Sequence, residues 1–264
     1  MRWRSISLRR YRKVAPALVV LAVLVYLSAR VCRLDLSGFG EGLAQGLKGF
    51  HGILSPDWGA FPGLVEPAVQ SVAIALVGTV LGTILSLFFG LAAASNVSPL
   101  WLRRLTRLLL GIERSMPEII IILILVAAFG MGPFGGALTL TVGCIGMLGK
   151  LTADAIEELD SQSIESIEAV GATKLQVLFY GIFQQIVPRL LSFALFRFEM
   201  SIRLSVILGA VGAGGIGFEL FRSFNLLEYS RFTSALLFTA ALVLGAERLS
   251  GYLRLRFKSQ GGLA

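Results

Sequence analysis

Long runs without a single charged residue constrain the fold of this chain more than any other feature. Residues 67–102 contain no Asp, Glu, Lys or Arg, and residues 119–149 repeat the pattern. A bilayer-spanning helix needs about 20 mostly apolar residues, because hydrocarbon offers no hydrogen bonds to an open backbone. Since 55% of the residues are hydrophobic, 15% are charged and the mean hydropathy is +0.79, the sequence predicts an all-α membrane protein.

Six segments are long and apolar enough to cross a bilayer. They predict transmembrane helices near 14–32, 67–95, 114–131, 135–153, 187–209 and 229–249. Residues 1–13 would form a basic tail, 33–66 an external loop and 67–258 a five-helix core. Within the external loop, residues 36–54 carry apolar side chains at the spacing of a surface helix, namely Phe39, Leu43, Leu47, Phe50 and Leu54.

The positions of the charges predict the orientation of the spans. The first 13 residues hold six basic and no acidic side chains, which places the N-terminus in the cytoplasm under the positive-inside rule. Six crossings return the C-terminus to the same side. Two further basic clusters fall there, Arg103, Arg104 and Arg107 after span two and Arg254, Arg256 and Lys258 after span six. The net charge is +8. Because the basic residues stand between apolar segments, they are interpreted as setting the membrane orientation and not as a nucleic-acid binding site.

Small residues recur at every fourth position of the second span. They are Gly78, Gly82, Ser86, Gly90 and Ala94. Small residues on one ridge let another helix approach closely in lipid, so this ridge predicts a packing face within a bundle or an oligomer.

A glycine-rich segment and the scarce metal-ligating residues do not predict a cofactor. Residues 212–217 match the dinucleotide fingerprint, but the βαβ unit and the acidic residue that this motif requires are missing. We interpret the segment as a hinge or a close-packed turn. His51 is the one histidine of the chain, and Cys32 and Cys144 are interpreted as packing residues, so no metal site is expected.

The segment from Lys150 to Arg189 is the longest polar interruption in the second half of the chain. Apolar residues at helical spacing among acidic ones predict an amphipathic helix near 163–176 within a cytoplasmic loop, 154–188, with a break at Gly171. Acidic residues disfavour binding to anionic headgroups. The helix is therefore predicted to dock on a soluble protein partner.

This loop resembles the coupling loop of ABC importer permeases, in which a Glu-Ala-Ala triplet is followed by three residues and a glycine. The spacing from Glu165 to Gly171 fits, whereas Ser166 and Ile167 depart from the triplet and Phe183-Gln184 stands where the family has Leu-Pro. Further segments between residues 55 and 258 resemble the phosphonate importer permease. They include Pro56-Asp57-Trp58, Glu66-Pro67, 74–79, 93–99, 114–118, 171–177, Arg197-Phe198-Glu199 and 211–219.

The resemblance implies a type I ABC importer permease, a multi-pass protein of the bacterial inner membrane that performs no covalent chemistry. Two copies would form the pathway for phosphonate or a related oxyanion such as phosphite or phosphate. A separate ATPase subunit would dock on the coupling helix, and a substrate-binding protein would deliver the solute from outside. The residues that the resemblance assigns to coupling are Glu165, Ala169, Gly171, Ala172 and Thr173.

The predicted fifth span carries charges that need partners, because an arginine at the centre of a membrane helix costs about 2.5–3.5 kcal/mol. Glu199 and Arg203 are four residues apart and share a face, whereas Arg197 points away from Glu199 and needs another partner. We hypothesise that the pathway carries a positive potential; the alternative is that these charges only tie helices together. The candidate pathway or gate residues are Arg114, Ser115, Pro117, Glu118, Arg197, Glu199, Arg203, Gly212, Gly214 and Gly215.

Three other functions compete with this interpretation. A secondary transporter of small anions should show inverted repeats with broken helices in corresponding halves. A membrane-embedded enzyme should show a nucleophile beside a base, or a metal cluster. An ABC permease for another small solute would share the fold and differ in the pathway, because function depends on the site and not on the fold.

Overall fold

A computed structural model of the chain describes residues 8–32 and 55–260, together with Gly38, Gly40 and Gly42. The chain divides into two units, residues 1–52 and 53–264. In the first unit, α1 is Leu8–Val31. It begins six residues before the predicted span 14–32 and therefore continues into the basic tail. The predicted surface helix of residues 36–54 lies, except for the three glycines, outside the described residues.

The described residues of the second unit form helices joined by short turns, with no β-strand among them. A short 3-10 turn, Trp58–Ala60, precedes the first long helix. The main helices are α2 (Phe61–Ala93), α3 (Leu100–Ser115), α4 (Glu118–Phe129), α5 (Pro133–Glu157), α6 (Ser161–Ala169), α7 (Gln184–Leu208), α8 (Ile216–Asn225) and α9 (Tyr229–Gln260). Two π-helical stretches flank α7, and we name them π1 (Val177–Phe183) and π2 (Gly209–Ala213).

The helices that could cross a membrane differ from the six predicted segments. Among the described residues, three helices are long and apolar enough: Trp58–Ala93, Pro133–Glu157 and Tyr229–Arg256. A fourth crossing is possible if the helix Lys174–Ala213 and α8, which is bent from it by 58°, count as one span. Pro16–Val31 and α4 are shorter apolar helices. The count of six transmembrane helices therefore stays a prediction.

The small-residue ridge of α2 packs on α5, as a packing face requires. A Cβ on Gly78 would lie 2.6 Å from the Cβ of Leu140, and one on Gly82 would overlap the Cβ of Cys144. Gly90 faces Thr152 in the same way, at 2.6 Å. The backbones of α2 and α5 therefore approach closely along most of their length, which is the arrangement that small residues favour in lipid.

The helices α3 and α4 are separated by a short break, and together they run antiparallel to α5. Arg107 at one end pairs with Glu157 of α5 at 2.5 Å, and Glu118 lies beside Gly143, 3.6 Å from the position of a Cβ there. Proline lacks an N–H and disfavours the α conformation in the residue before it, so the helix ends before Pro117. The predicted span 114–131 thus contains a break, and the predicted loop before it is mostly helix.

Contacts between helix ends fix which ends share a side of the bundle. The backbone N–H of Asp57 donates to the carbonyl of Ser230 at 3.3 Å, and the Ser234 hydroxyl donates to the carbonyl of Asp57 at 2.8 Å. At the other end, Asn96 donates through Nδ2 to the carbonyl of Ile156 at 2.9 Å. Each pair of segments is separated by an even number of predicted crossings, and the five-helix core of residues 67–258 stays a prediction.

Candidate coupling surface and translocation pathway

The helix α6 is a separate short element held against π1. Asp160 caps its N-terminus by accepting a hydrogen bond from the N–H of Gln162 at 3.1 Å. Its inner face carries Ile164 and Ile167, and the Cδ1 of Ile167 lies 3.3 Å from where a Cβ would stand on Gly181 in π1. The absence of a side chain on Gly181 thus lets α6 lie directly on the π-helical stretch.

The backbone turns out of the helical conformation after α6 at Gly171, whose φ is +84°. This left-handed conformation costs other residues about 1–2 kcal/mol, so glycine favours the turn. Thr173 then starts the next helix: its N–H and hydroxyl both donate to Oε1 of Gln176, at 2.8 and 3.0 Å. The predicted extent of the helix, 163–176, was wrong, because α6 ends at Ala169 before the left-handed turn. The predicted break at Gly171 is present.

The residues assigned to coupling lie together on the outer side of this turn. Glu165, Ala169, Gly171 and Thr173 are exposed, and Ala172 is partly exposed. Val170 and Leu175 are 84% and 77% exposed, and charged residues, Glu168 and Lys174, stand near them in the sequence. We call this group, with Val170 and Leu175, the coupling surface. Exposed aliphatic residues rimmed by charges are typical of a protein interface.

Arg197 is buried in the middle of the bundle beside two carboxylates. Its side chain is 3% exposed, and its Nη2 lies 3.8 Å from Oε1 of Glu118. Glu113 of α3 occupies the adjacent space, and a Cβ on Gly146 of α5 would overlap its carboxylate. Within the part of the chain that the structure describes, the Nε and Nη2 of Arg197 and the Oε2 of Glu113 are buried and have no hydrogen-bond partner. The carboxylates beside Arg197 therefore come from α3 and from the start of α4.

Glu199 forms the second charged group of α7, on the opposite face from Arg197. It is 9% exposed, pairs with Arg203 on the same helix as the spacing predicted, and pairs with Arg254 of α9 at 3.3 Å. Arg203 is 51% exposed and also lies 4.0 Å from Glu247. One nearly buried carboxylate thus joins two arginines and ties the last helix to α7.

The glycine-rich segment is a close-packed turn between π2 and α8. Gly212, Gly214 and Gly215 have φ values of +103°, +78° and +73°. The side chain of Gln70 accepts a hydrogen bond from the N–H of Gly215 at 2.7 Å, and Ser71 accepts one from the N–H of Ile216 at 3.0 Å. The positive φ angles of these glycines therefore let the amides of Gly215 and Ile216 bind side chains of α2.

The other candidate residues lie at the short break between α3 and α4. Arg114 and Ser115 are exposed at the end of α3, where the Ser115 hydroxyl donates to the carbonyl of Ile112 at 2.7 Å. Pro117 precedes the first residue of α4, Glu118. The structure thus brings Glu118 to Arg197 and keeps Glu199 and Arg203 on another face.

Four residues that shape these sites were not identified from the sequence. Glu113 and Gly146 complete the Arg197 group, and Gln70 and Ser71 hold the glycine-rich turn. Glu113 directly precedes the Arg-Ser-Met-Pro-Glu segment, and Gln70 is a polar residue in a long uncharged run. A polar side chain inside an apolar helix is the signal that would have indicated Gln70.

The chain is similar to known transport proteins. The family model described as binding-protein-dependent transport system inner membrane component matches residues 86–259. The phosphite transport system permease protein PtxC of Stutzerimonas stutzeri is 34% identical over 97% of this chain and 93% of its own length. The phosphate-import permease protein PhnE of Mycolicibacterium smegmatis is 40% identical over 73% of this chain and 36% of its own length.

Solved structures share the fold. A chain of the MetNI methionine ABC transporter, in an inward-facing conformation, aligns with a TM-score of 0.67 at 21% identity. The alignment covers 76% of this chain and 99% of that one. At this identity the likeness concerns the fold alone, and it agrees with the predicted type I importer permease architecture.

Proposed function

Since this chain belongs to the family of binding-protein-dependent transport system inner membrane components, we propose that it forms the translocation pathway for a phosphorus oxyanion. It is the permease subunit of an ABC importer and not an enzyme. The identity of 34% to a phosphite permease over 97% of the chain carries the choice of substrate. Phosphite, phosphonate and phosphate share a tetrahedral anionic phosphorus group, and these three are the candidate solutes.

Two copies of the chain form the proposed pathway, and each carries one coupling surface. Coupling requires a continuous path of contacts from the ATPase to the charged groups of the bundle. The contacts that support the proposal run from α6, which packs on π1, and π1 continues into α7, which carries Arg197 and Glu199. A movement of the ATPase against the coupling surface would thus reach both charged groups through one helix.

The experiment for this function is uptake into proteoliposomes that contain the permease, its ATPase and a substrate-binding protein. We expect uptake of labelled phosphite or a phosphonate that needs ATP inside the vesicle. Uptake driven by an ion gradient without the ATPase would favour the secondary transporter, and ATP-driven uptake of a different solute would contradict only the substrate. A Gly171→Asp variant that still assembles but transports normally would contradict the coupling role of the turn.

The pathway proposal depends on what the buried arginine does. Within one protomer, Glu113 and Glu118 surround Arg197, so Arg197→Gln would leave two carboxylates without a countercharge. The double variant Arg197→Gln with Glu118→Gln removes one charge of each sign. If Arg197 attracts the anion, the double variant assembles but transports phosphite poorly at low concentration. If it only ties helices together, the double variant regains the flux that Arg197→Gln loses.

Both termini lie in the cytoplasm in the proposed topology, in the bacterial inner membrane. The N-terminal basic cluster supports this orientation under the positive-inside rule. Reporter fusions after Leu54 and after Lys258 test it, since the first point should be outside and the second inside. Both reporters on one side of the membrane would contradict the count of crossings on which the orientation rests.

A further inference from the structure

A basic cavity lies apart from both charged groups of α7, at the end of the bundle where α2 and α5 both end. Its volume is about 290 Å³. Three helices supply its walls, α2, α3 and α5. The lining residues are Ala93, Arg107, Leu110, Gly111, Arg114, Lys150, Ala153 and Asp154. In the proposed topology this end of the bundle faces the cytoplasm.

The charges of the wall do not balance. Arg107 is satisfied, because its Nε donates to the carbonyl of Ala93 at 2.9 Å and its Nη2 pairs with Glu157 at 2.5 Å. Among the described residues, Arg114 and Lys150 have no carboxylate within 4.0 Å, while one acidic residue, Asp154, shares the wall with them. The cavity therefore holds two cationic donors against one carboxylate.

The cavity is also open where a ligand would enter. A Cβ placed on Gly111 would meet no atom within 4 Å, so α3 leaves open space at this point of the cavity wall. Side chains at positions 111 and 114 lie three residues apart and hence on one face of the helix. Arg114 and Lys150 line the same cavity, and guanidinium and ammonium groups are the donors that bind phosphate-type oxyanions.

From this placement we propose that the cavity binds a phosphate-type oxyanion through Arg114 and Lys150. The group can belong to a free ion in the cytoplasm or to the headgroup of a phospholipid, since both present the same tetrahedral anion. Phosphate is also a candidate transported solute and Arg114 a candidate gate residue, so Lys150 and Gly111, which are not among the candidate pathway residues, are the positions that distinguish this cavity from the pathway.

The first arm of the test detects a free ion. The purified full-length permease with its ATPase is placed in nanodiscs of neutral phosphatidylcholine, and binding of radiolabelled inorganic phosphate is measured. We expect saturable binding that Lys150→Gln and Arg114→Gln each weaken about tenfold, as expected for the loss of one charge-assisted hydrogen bond. Arg104→Gln is the matched control, because Arg104 is exposed on the same helix outside the cavity. Gly111→Met should block binding by filling the space.

The second arm detects a lipid headgroup. Nanodiscs that mix phosphatidylcholine with phosphatidylglycerol are used, and the lipid retained by the purified protein is quantified by mass spectrometry. Retention of phosphatidylglycerol that falls in Lys150→Gln but not in Arg104→Gln identifies the headgroup as the ligand. If neither phosphate binding nor lipid retention responds to Lys150→Gln and Gly111→Met, the proposal is overturned. Normal phosphite uptake alongside that result would leave the proposed transport function intact.

Discussion

The two π-helical stretches that flank α7 are built in opposite ways. At π1, apolar contacts from α6 lie on a bare glycine, and aromatic rings stay exposed, with Phe179 stacked on Phe183 at 5.6 Å between ring centroids. At the turn that follows π2, the side-chain oxygens of Gln70 and Ser71 accept hydrogen bonds from backbone amides. Glycines with positive φ angles shape this turn. The same irregularity thus serves an adaptable surface at one end and a fixed turn at the other.

The difference shows how one helix can serve two purposes. Hydrogen bonds require one geometry, whereas apolar contacts tolerate small shifts. A partner that moves π1 can therefore displace α7 while π2 keeps its place on α2. Substitutions at π2 should then reduce stability most, and substitutions near π1 should reduce coupling with little loss of stability.

The largest effect is expected at Gly217, in the first turn of α8, which follows the glycine-rich turn after π2. A Cβ there would overlap the backbone of Val206, which cannot move away as a side chain could. Gly217→Val should lower the free energy of unfolding by about 3 kcal/mol or more, seen as loss of the folded peak in size-exclusion chromatography. Gly245→Val in α9 is the control, because a Cβ at Gly245 meets nothing within 4 Å. Equal yields of the two variants would contradict the close-packed turn.

A smaller loss of stability is expected when the turn loses one hydrogen bond. Gln70→Leu leaves the N–H of Gly215 without its acceptor, and an unsatisfied buried donor costs about 1–3 kcal/mol. Thermal unfolding in detergent should show a lower midpoint for Gln70→Leu than for Gln70→Glu, which keeps an acceptor oxygen. A Gln70→Leu midpoint at or above that of the Glu variant would show that the bond adds nothing to the turn.

At the π1 end, stability and coupling should separate. Gly171 needs positive φ but has open space around it, so Gly171→Val strains the backbone by about 1–2 kcal/mol without a clash. Gly171→Asn is the control, because asparagine adopts the left-handed conformation more readily than a β-branched residue. We expect the Asn variant to keep more ATP-driven uptake than the Val variant at equal yield. Identical uptake would show that the conformation of the turn is not what coupling needs.

The smallest change in stability is expected on the coupling surface itself. Val170 is 84% exposed, so Val170→Ser should change the free energy of unfolding by less than about 0.5 kcal/mol. Binding of the ATPase should nevertheless weaken, because an exposed aliphatic residue gains burial only in the complex. Co-purification of the ATPase measures this, with Leu109→Ser on the exposed face of α3 as a control outside the surface.

The sequence predicted what depends on composition and spacing, and it missed what depends on approach in three dimensions. The glycine ridge of α2, the Glu199–Arg203 pair and the break at Gly171 all follow from short-range periodicity. The partner of Arg197 could not be found in this way, because Glu113 and Glu118 are about 80 residues away in the sequence. They lie beside Arg197 only because α3 and α4, with the break before Pro117, pack against the bundle. The second arginine on Glu199, Arg254, was interpreted from its position as an orientation charge. Both misses are long-range pairs.

The interlocked ridge of α2 and α5 limits which motions can occur during transport. Gly82 stands opposite Cys144 and Gly90 opposite Thr152, so a slide of one helix along the other would move these two side chains off the glycines and against the larger residues three or four positions away on the same face. Such a slide would require the helices to separate first. We therefore expect α2 and α5 to move together as one rigid unit. The rearrangements of a transport cycle would then occur at the break before Pro117 and at the two π-helical stretches.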